Sequence, residues 1–362
     1  MKKIYFLCVV ALVAASITLT SCSKDDPVDS SPVQVIKKHD TAILLCTFGS
    51  TYELPQTTFD AVVKDYEKSY PNADIYLSFT SRTCVSRVGA KTGKYFAQPD
   101  LWLKAIGNAG YKTVGVQSLH VIPGEEYLSL MNTDVKKNFM ISFPNVKVAK
   151  GACLLDNDGS HEGENDVQAT AEALYNEFCK AKVEKGEYVI FMGHGNPDKE
   201  YTHANLRYSQ IESALQKLDG GKKRIFVGTV DYGDMMFSYI RKALATATGN
   251  AQADNAGNGK TQQKSNGVVL HLAPLMSVAG DHAHNDMAGD LEEKQTTADV
   301  NPYESDHEAE FSWKLKLRKL GYTVEDKNCH MIGLGDYAAL RKIWMKHLNM
   351  SSAESWNEHL GE

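Results

Sequence analysis

The chain has no basic run and no helix-length stretch rich in Lys and Arg. Its 39 basic side chains are outnumbered by 45 acidic ones, for a formal net charge of −6. A nucleic-acid interface needs a concentrated positive field to neutralise phosphates, so that class is excluded. No two of the seven cysteines stand at CxxC spacing, which argues against a zinc cluster. Nor is there an HExxH motif, the helical pair of histidines that a zinc hydrolase of that kind uses. The apolar stretch at the start, Ile4 to Ala15, is short for a bilayer span.

What that stretch does resemble is a leader. Lys2 and Lys3 precede it, and it runs into Leu19-Thr20-Ser21-Cys22, the pattern of a bacterial lipobox with lipid on Cys22. Residues 1–22 are therefore expected to be a lipoprotein signal peptide, and 23–40, polar with two prolines, a flexible tether. The expected location is the cell envelope of a Gram-negative bacterium, with membrane contact through the lipid alone. The remaining cysteines are Cys46, Cys84, Cys153, Cys179 and Cys329. They are odd in number and several lie in apolar runs, so they read as buried thiols.

From Thr41 onward the pattern alternates strand and helix. Strands are predicted near 42–46, 75–79, 113–119, 146–155, 188–192, 224–230, 268–276 and 324–334. Helices are predicted near 55–66, 101–109, 165–183, 206–218, 235–245, 308–320 and 337–348. Alternation of this kind implies parallel sheets covered on both faces, an α/β fold. Residues 249–266 and 291–307 are polar and aperiodic, and read as insertions.

The two halves echo each other. ILLCTFGS at 43–50 matches VIFMGHGN at 189–196, and LHVIPGEE at 119–126 matches LMSVAGDH at 275–282. Two similar doubly wound lobes are expected, 41–160 and 161–350, with a cleft between them and the metal site on the second. The superposition sets Phe48 opposite His194 and Glu126 opposite His282. Ligands of open α/β sheets bind at the carboxyl ends of the strands, where these residues fall.

Several side chains there have metal or proton chemistry. His194 lies between two glycines, which leaves its imidazole accessible. His282 is preceded by Asp281, a carboxylate placed to orient it, and followed by His284. Asp231 follows another strand. Two histidines and a carboxylate make a mixed nitrogen and oxygen set with open positions. The plainer readings are a histidine bonded within a turn and an aspartate capping the next helix. Of the adjacent acids Glu125 and Glu126, one facing a closed cleft has its pKa raised and becomes a general base. Arg82 and Arg87 follow the second strand and are candidates for binding substrate carboxylates, or are ordinary surface arginines.

Taken in order, SLHVIPGEEY, FMGHGN, HLAPLMSVAGDHAHNDMAGD, SWK and GLGD resemble the CbiK-type anaerobic sirohydrochlorin cobaltochelatases over about residues 42 to 349. The resemblance implies a two-lobed class II chelatase, like ferrochelatase, with sirohydrochlorin or a related tetrapyrrole in the cleft. It implies that His194 and His282 bind the metal, with His194 also accepting a proton, and that Glu126 is an active-site carboxylate. It singles out His282 over His271 and His284. The family has Glu where this chain has Asp231, a ligand one methylene shorter. The metal is then substrate, Co2+ first and Fe2+ or Ni2+ as alternatives, with no organic cofactor and an oligomer open. The leader leaves a rival reading, an envelope-anchored protein that binds haem, another tetrapyrrole or metal without turnover.

Overall fold

The computed structural model describes residues 33–250, 265–289, 299–308 and 310–360. The leader, Cys22, residues 251–264 of the first expected insertion and 291–298 of the second lie outside the described residues.

The first sheet is wholly parallel. β1 (Thr41–Thr47) leads through α1 (Leu54–Ser69) to β2 (Ala73–Phe79). Helices α2 (Arg82–Thr92) and α3 (Pro99–Asn108) carry the chain to β3 (Thr113–Ser118). A short α4 (Glu125–Leu128), prolonged by π-type turns over Ser129–Met140, leads to β4 (Lys147–Gly151). The strand order is β2-β1-β3-β4. Cys46 of β1 stands level with Ser78 and Ser118, so three strands end on one edge.

The second sheet is built the same way. α5 (Asp166–Leu174) continues through a π-type turn into α6 (Lys180–Val183) and then β5 (Tyr188–Gly193). α7 (Thr202–Leu218), β6 (Ile225–Thr229), α8 (Phe237–Thr248) and β7 (Leu270–Pro274) follow, in the parallel order β6-β5-β7. The chain ends with α9 (Trp313–Lys319), α10 (Ala338–His347) and α11 (Trp356–His359).

The strand predicted at 324–334 is not a regular strand. Thr323 and Cys329 touch β7 at two isolated parallel bridges, and a 3-10 turn at Asp326–Asn328 interrupts them. The polar run Glu325-Asp326-Lys327-Asn328 turns instead of pairing, and Arg318 and Lys314 hold Asp326. This segment occupies in the second sheet the place that β4 holds in the first. The two lobes are therefore wound alike, as their sequence echo implies.

Burial on both faces explains why the strands read as continuous apolar runs. Ile43 and Leu45 of β1 and Val189 and Phe191 of β5 face one core shared by both lobes. Ala42, Leu44 and Cys46 face a second core beneath α3, and Ile190 and Met192 a third beneath α8 and α9.

Two helices escaped the sequence pattern. α2 starts at Ser81, whose hydroxyl accepts the Cys84 N–H, and stops at Gly93 with φ of 70°. That Ser and that Gly were the available signals. α4 and its extension were hidden by Gly124 and the adjacent acids.

Two boundaries move. Residues 338–350, assigned to the C-terminal lobe, wedge between the lobes and fasten to the first. Arg341 pairs with Asp65 at 2.6 Å, Trp344 Nε1 donates to the His120 carbonyl at 3.1 Å, and Tyr70 donates to the Leu348 carbonyl at 2.9 Å. Beyond them Glu354 pairs antiparallel with Val148 of the edge strand β4. The tether also ends sooner than 40. Asp74 accepts the N–H groups of Lys38 and His39 and the Tyr111 hydroxyl, which fixes residues 38–40 to the start of β2. Among the described residues no helix is long and apolar enough to cross a membrane.

Candidate metal and proton-transfer site

β5 is the middle strand of the second sheet, so the residue just past its end is central. That residue is His194. Gly193 is required on one side because a Cβ there would lie 2.3 Å from the Tyr208 ring. Gly195 is required on the other because its φ is 86° and a Cβ would press on the Tyr232 backbone. The His194 carbonyl accepts the backbone N–H groups of Val230 and Asp231, which ties the turn after β5 to the turn after β6. This lock brings Asp231 Oδ2 to 3.6 Å from His194 Nε2.

His282 arrives from the other neighbour, β7. Its ring stands edge-on to His194 with centroids 4.7 Å apart. Its Nδ1 lies 2.6 Å from Asp286 Oδ2, one turn on in the π-type segment Ala283–Ala288. The orienting carboxylate is thus Asp286. Asp281, expected in that role, instead accepts from Asn285. The i,i+4 spacing was readable only if the segment was taken as helical. With Nδ1 donating to Asp286, His282 has the Nε2 lone pair free, the usual arrangement of a metal-ligating imidazole.

The other histidines of this stretch go elsewhere. His284 stacks on Tyr52 from the first lobe at 3.9 Å. His271 lies toward the opposite end of the sheet, between Glu187 at 2.8 Å and His330 at 3.0 Å.

Glu126 enters from the first lobe on α4. Asn196 links the lobes here, its side-chain oxygen 3.3 Å from the Glu125 N–H. A Cβ on Gly124 would collide with that oxygen, so the approach needs glycine. Glu125 is exposed and Glu126 half-buried, which decides between the adjacent acids. Burial raises the Glu126 pKa more than the nearby Thr80 hydroxyl and the charge of His194 lower it.

The two histidines are pushed apart in basicity. Burial and the neighbouring His282 lower the His194 pKa, against the pull of Asp231, the Gly195 carbonyl and Glu126. For His282 burial works the same way, but Asp286, with Asp231 and Asp281, outweighs it and the pKa is raised. Such divergent pairs mark sites that move protons. His194 and Asp231 side chains keep 42% and 39% of their surface open, so the donors are reachable from the cleft.

Among the described residues no group of three or more His, Cys, Asp or Glu side chains is placed to hold a metal ion. His194 has Asp231 on one side and His282 on the other. Arg82 opens α2 at the same strand-end edge and is exposed, with Asp134 within electrostatic reach; Arg87 is exposed farther along the helix. A separate recess of ≈ 300 Å3, lined by Asp158, Asn165 and Gln168 among others, contains none of these residues.

Fold and site together define a two-lobed α/β protein with His194, Asp231 and His282 gathered at strand ends of the second sheet and Glu126 approaching from the first lobe. The chain belongs to the cobalt chelatase (CbiK) family, whose model matches residues 41–353. It is 25% identical over 311 residues to the sirohydrochlorin cobaltochelatase of Salmonella typhimurium, covering 86% of this chain and 96% of the relative. It is 27% identical over 322 residues to the sirohydrochlorin cobaltochelatase CbiKC of Nitratidesulfovibrio vulgaris, covering 88% and 92%. Among solved structures, SirB from Bacillus subtilis with Fe3+ is similar at 13% identity and a TM-score of 0.48, covering 85% of this chain and 93% of that one.

Proposed function

We infer that this protein is a sirohydrochlorin cobaltochelatase. It inserts Co2+ into the macrocycle, which loses two N–H protons in exchange. One observation carries the reading: His194 and His282 stand edge-on at 4.7 Å beside Asp231, with a half-buried carboxylate, Glu126, in reach from the facing lobe. The overall match to curated cobaltochelatases supports it.

Each residue then has a task. His282 Nε2 and Asp231 hold the cation. His194 Nδ1 faces the Gly195 carbonyl at 2.7 Å and carries the hydrogen, so Nε2 presents a lone pair. The lowered pKa keeps that imidazole neutral at neutral pH, ready to bind the cation or to accept one macrocycle proton. Glu126, more basic than an ordinary carboxylate because it is buried, accepts the other. Arg82 and Arg87 are the candidates to meet substrate carboxylates.

The test is direct. The protein is incubated with sirohydrochlorin and Co2+, Fe2+ or Ni2+, and the absorption spectrum is followed. Acceleration over buffer that His194→Ala abolishes is the expected result. No acceleration with any metal would refute the reading, and tight tetrapyrrole or haem binding without turnover would support the rival envelope-bound carrier.

A lipid on Cys22 is part of the same reading. Loss of membrane fractionation in Cys22→Ser is the expected check.

A further inference from the structure

Two positions beyond His282 stands a second imidazole that cation binding as described does not use. His284 stacks face to face on Tyr52 of the first lobe, with ring centroids 3.9 Å apart and planes 7° from parallel. Residues two apart on a helical turn point about half a turn away from each other. Hence His282 faces His194 while His284 faces the opposite lobe, and one short segment carries both. The His284 N–H donates to the Gly280 carbonyl at 3.1 Å, so that segment is helically bonded from its first turn.

Tyr52 is held firmly on the loop between β1 and α1. Ser50 is 3% exposed, and its hydroxyl accepts the Tyr52 N–H at 3.2 Å. Gln56 Nε2, from the first turn of α1, donates to the Ser50 carbonyl at 3.2 Å and the Tyr52 carbonyl at 3.4 Å. Gly49, with φ of 97°, lets the loop pass over the Phe79 ring, where a Cβ would collide. The same loop lies against Gly280, on which a Cβ would stand 3.5 Å from Ser50 Oγ. The first lobe therefore meets the His282 segment at two points, Gly280 and His284.

We propose that Tyr52 is a positioning residue of the metal site: through His284 it forms a strut between the lobes that braces the segment carrying His282. Asp286 fixes the turn of the His282 ring, and the strut fixes the backbone on which the ring is mounted. Its effect on the cation rests on the reading of His282 as a ligand; the strut itself does not. A stacked aromatic pair favours its own arrangement by about two- to tenfold, which bounds what its loss can do to His282.

Two measurements on the full chain test it, one of them independent of metal and turnover. Amide hydrogen exchange in peptides spanning 280–289, followed by mass spectrometry, is expected to speed up about two- to tenfold in Tyr52→Leu, with β5 and β6 unchanged. Tyr52→Phe keeps the ring and should exchange at the native rate. Isothermal titration with Co2+ alone should show a dissociation constant raised by about the same factor in Tyr52→Leu and restored in Tyr52→Phe. His284→Phe should also bind Co2+ as the native protein does, because His284 serves as a stacking face and not as a ligand. Unchanged exchange in Tyr52→Leu, faster exchange spread evenly over both lobes, or a Tyr52→Phe protein as perturbed as Tyr52→Leu would overturn the strut. Native Co2+ affinity in Tyr52→Leu, or lost affinity in His284→Phe, would overturn the positioning role. A native protein that binds no Co2+ would instead refute His282 as ligand, and the exchange comparison would still decide the strut.

Discussion

His282 donates its Nδ1–H to Asp286 at 2.6 Å, one turn along the same π-type segment. This pair fixes the tautomer and holds the ring beside His194. Carboxylates in this position raise the basicity of a ligating imidazole, and their removal weakens metal affinity by about 10- to 100-fold. Asp286→Asn is therefore expected to raise KM for Co2+ within that range, with KM for the macrocycle unchanged. Steady-state kinetics with each substrate varied in turn will show it; an unchanged KM for Co2+ would remove Asp286 from the site.

The same pair predicts a pH dependence. His282 has its pKa raised above the ordinary 6.5, chiefly by Asp286 against its burial, so protons compete with the cation for Nε2 from a higher pH than at a free imidazole. Apparent KM for Co2+ should rise as the pH falls through that raised value, steepening toward about tenfold per unit. Asp286→Asn keeps an acceptor for Nδ1 but removes the charge that raises the pKa, so the rise should begin at lower pH. A KM that stays flat from pH about 8 to 6 would contradict the assignment of His282 as ligand.

Asp231 offers a test of reach. It stands 3.6 Å from His194 Nε2, on a side chain one methylene shorter than the glutamate of the resembling family. Asp231→Glu should turn over Co2+ at least as fast as the native protein. Asp231→Ala should raise KM for Co2+ by about tenfold or more, because loss of a ligand outweighs loss of a supporting carboxylate. Isothermal titration with Co2+ alone separates affinity from turnover. Equal affinity in the alanine variant would exclude Asp231 as a ligand.

The shared core makes the lobes one cooperative unit. Trp344 is 1% exposed between α5 and the first lobe, and its Nε1 reaches His120. Trp344→Ala should destabilise the fold by about 3–5 kcal/mol. Circular dichroism and tryptophan fluorescence should still report a single coincident unfolding transition. Two separated transitions would mean that the lobes fold independently.

Much of this was legible in the residues. ILLC and VIFM announced strands buried on both faces, because such strands cannot alternate with polar residues. The echo between the halves announced equal winding, and HGN and GDH marked the ends of two of those strands. The plain turn reading of His194 also held in part, since its Nδ1 does bond the Gly195 carbonyl. The Glu125 and Glu126 pair was identical as letters, and only burial told them apart. Asp281 was adjacent to His282 and Asp286 was not, yet helical geometry points the fourth residue, not the preceding one, at the ring.

The sequence by itself determined the alternation of strand and helix, the parallel sheets and which side chains carry proton or metal chemistry, because periodicity and side-chain chemistry are local properties. The tertiary structure decided what lies across space. It set β5 between β6 and β7 so that His194 is flanked by Asp231 and His282, and it brought Glu126 in from the other lobe. It also folded residues 338–350 back between the lobes to close the core. Those distances depend on strand order and on which apolar faces meet, and no stretch of chain encodes them alone.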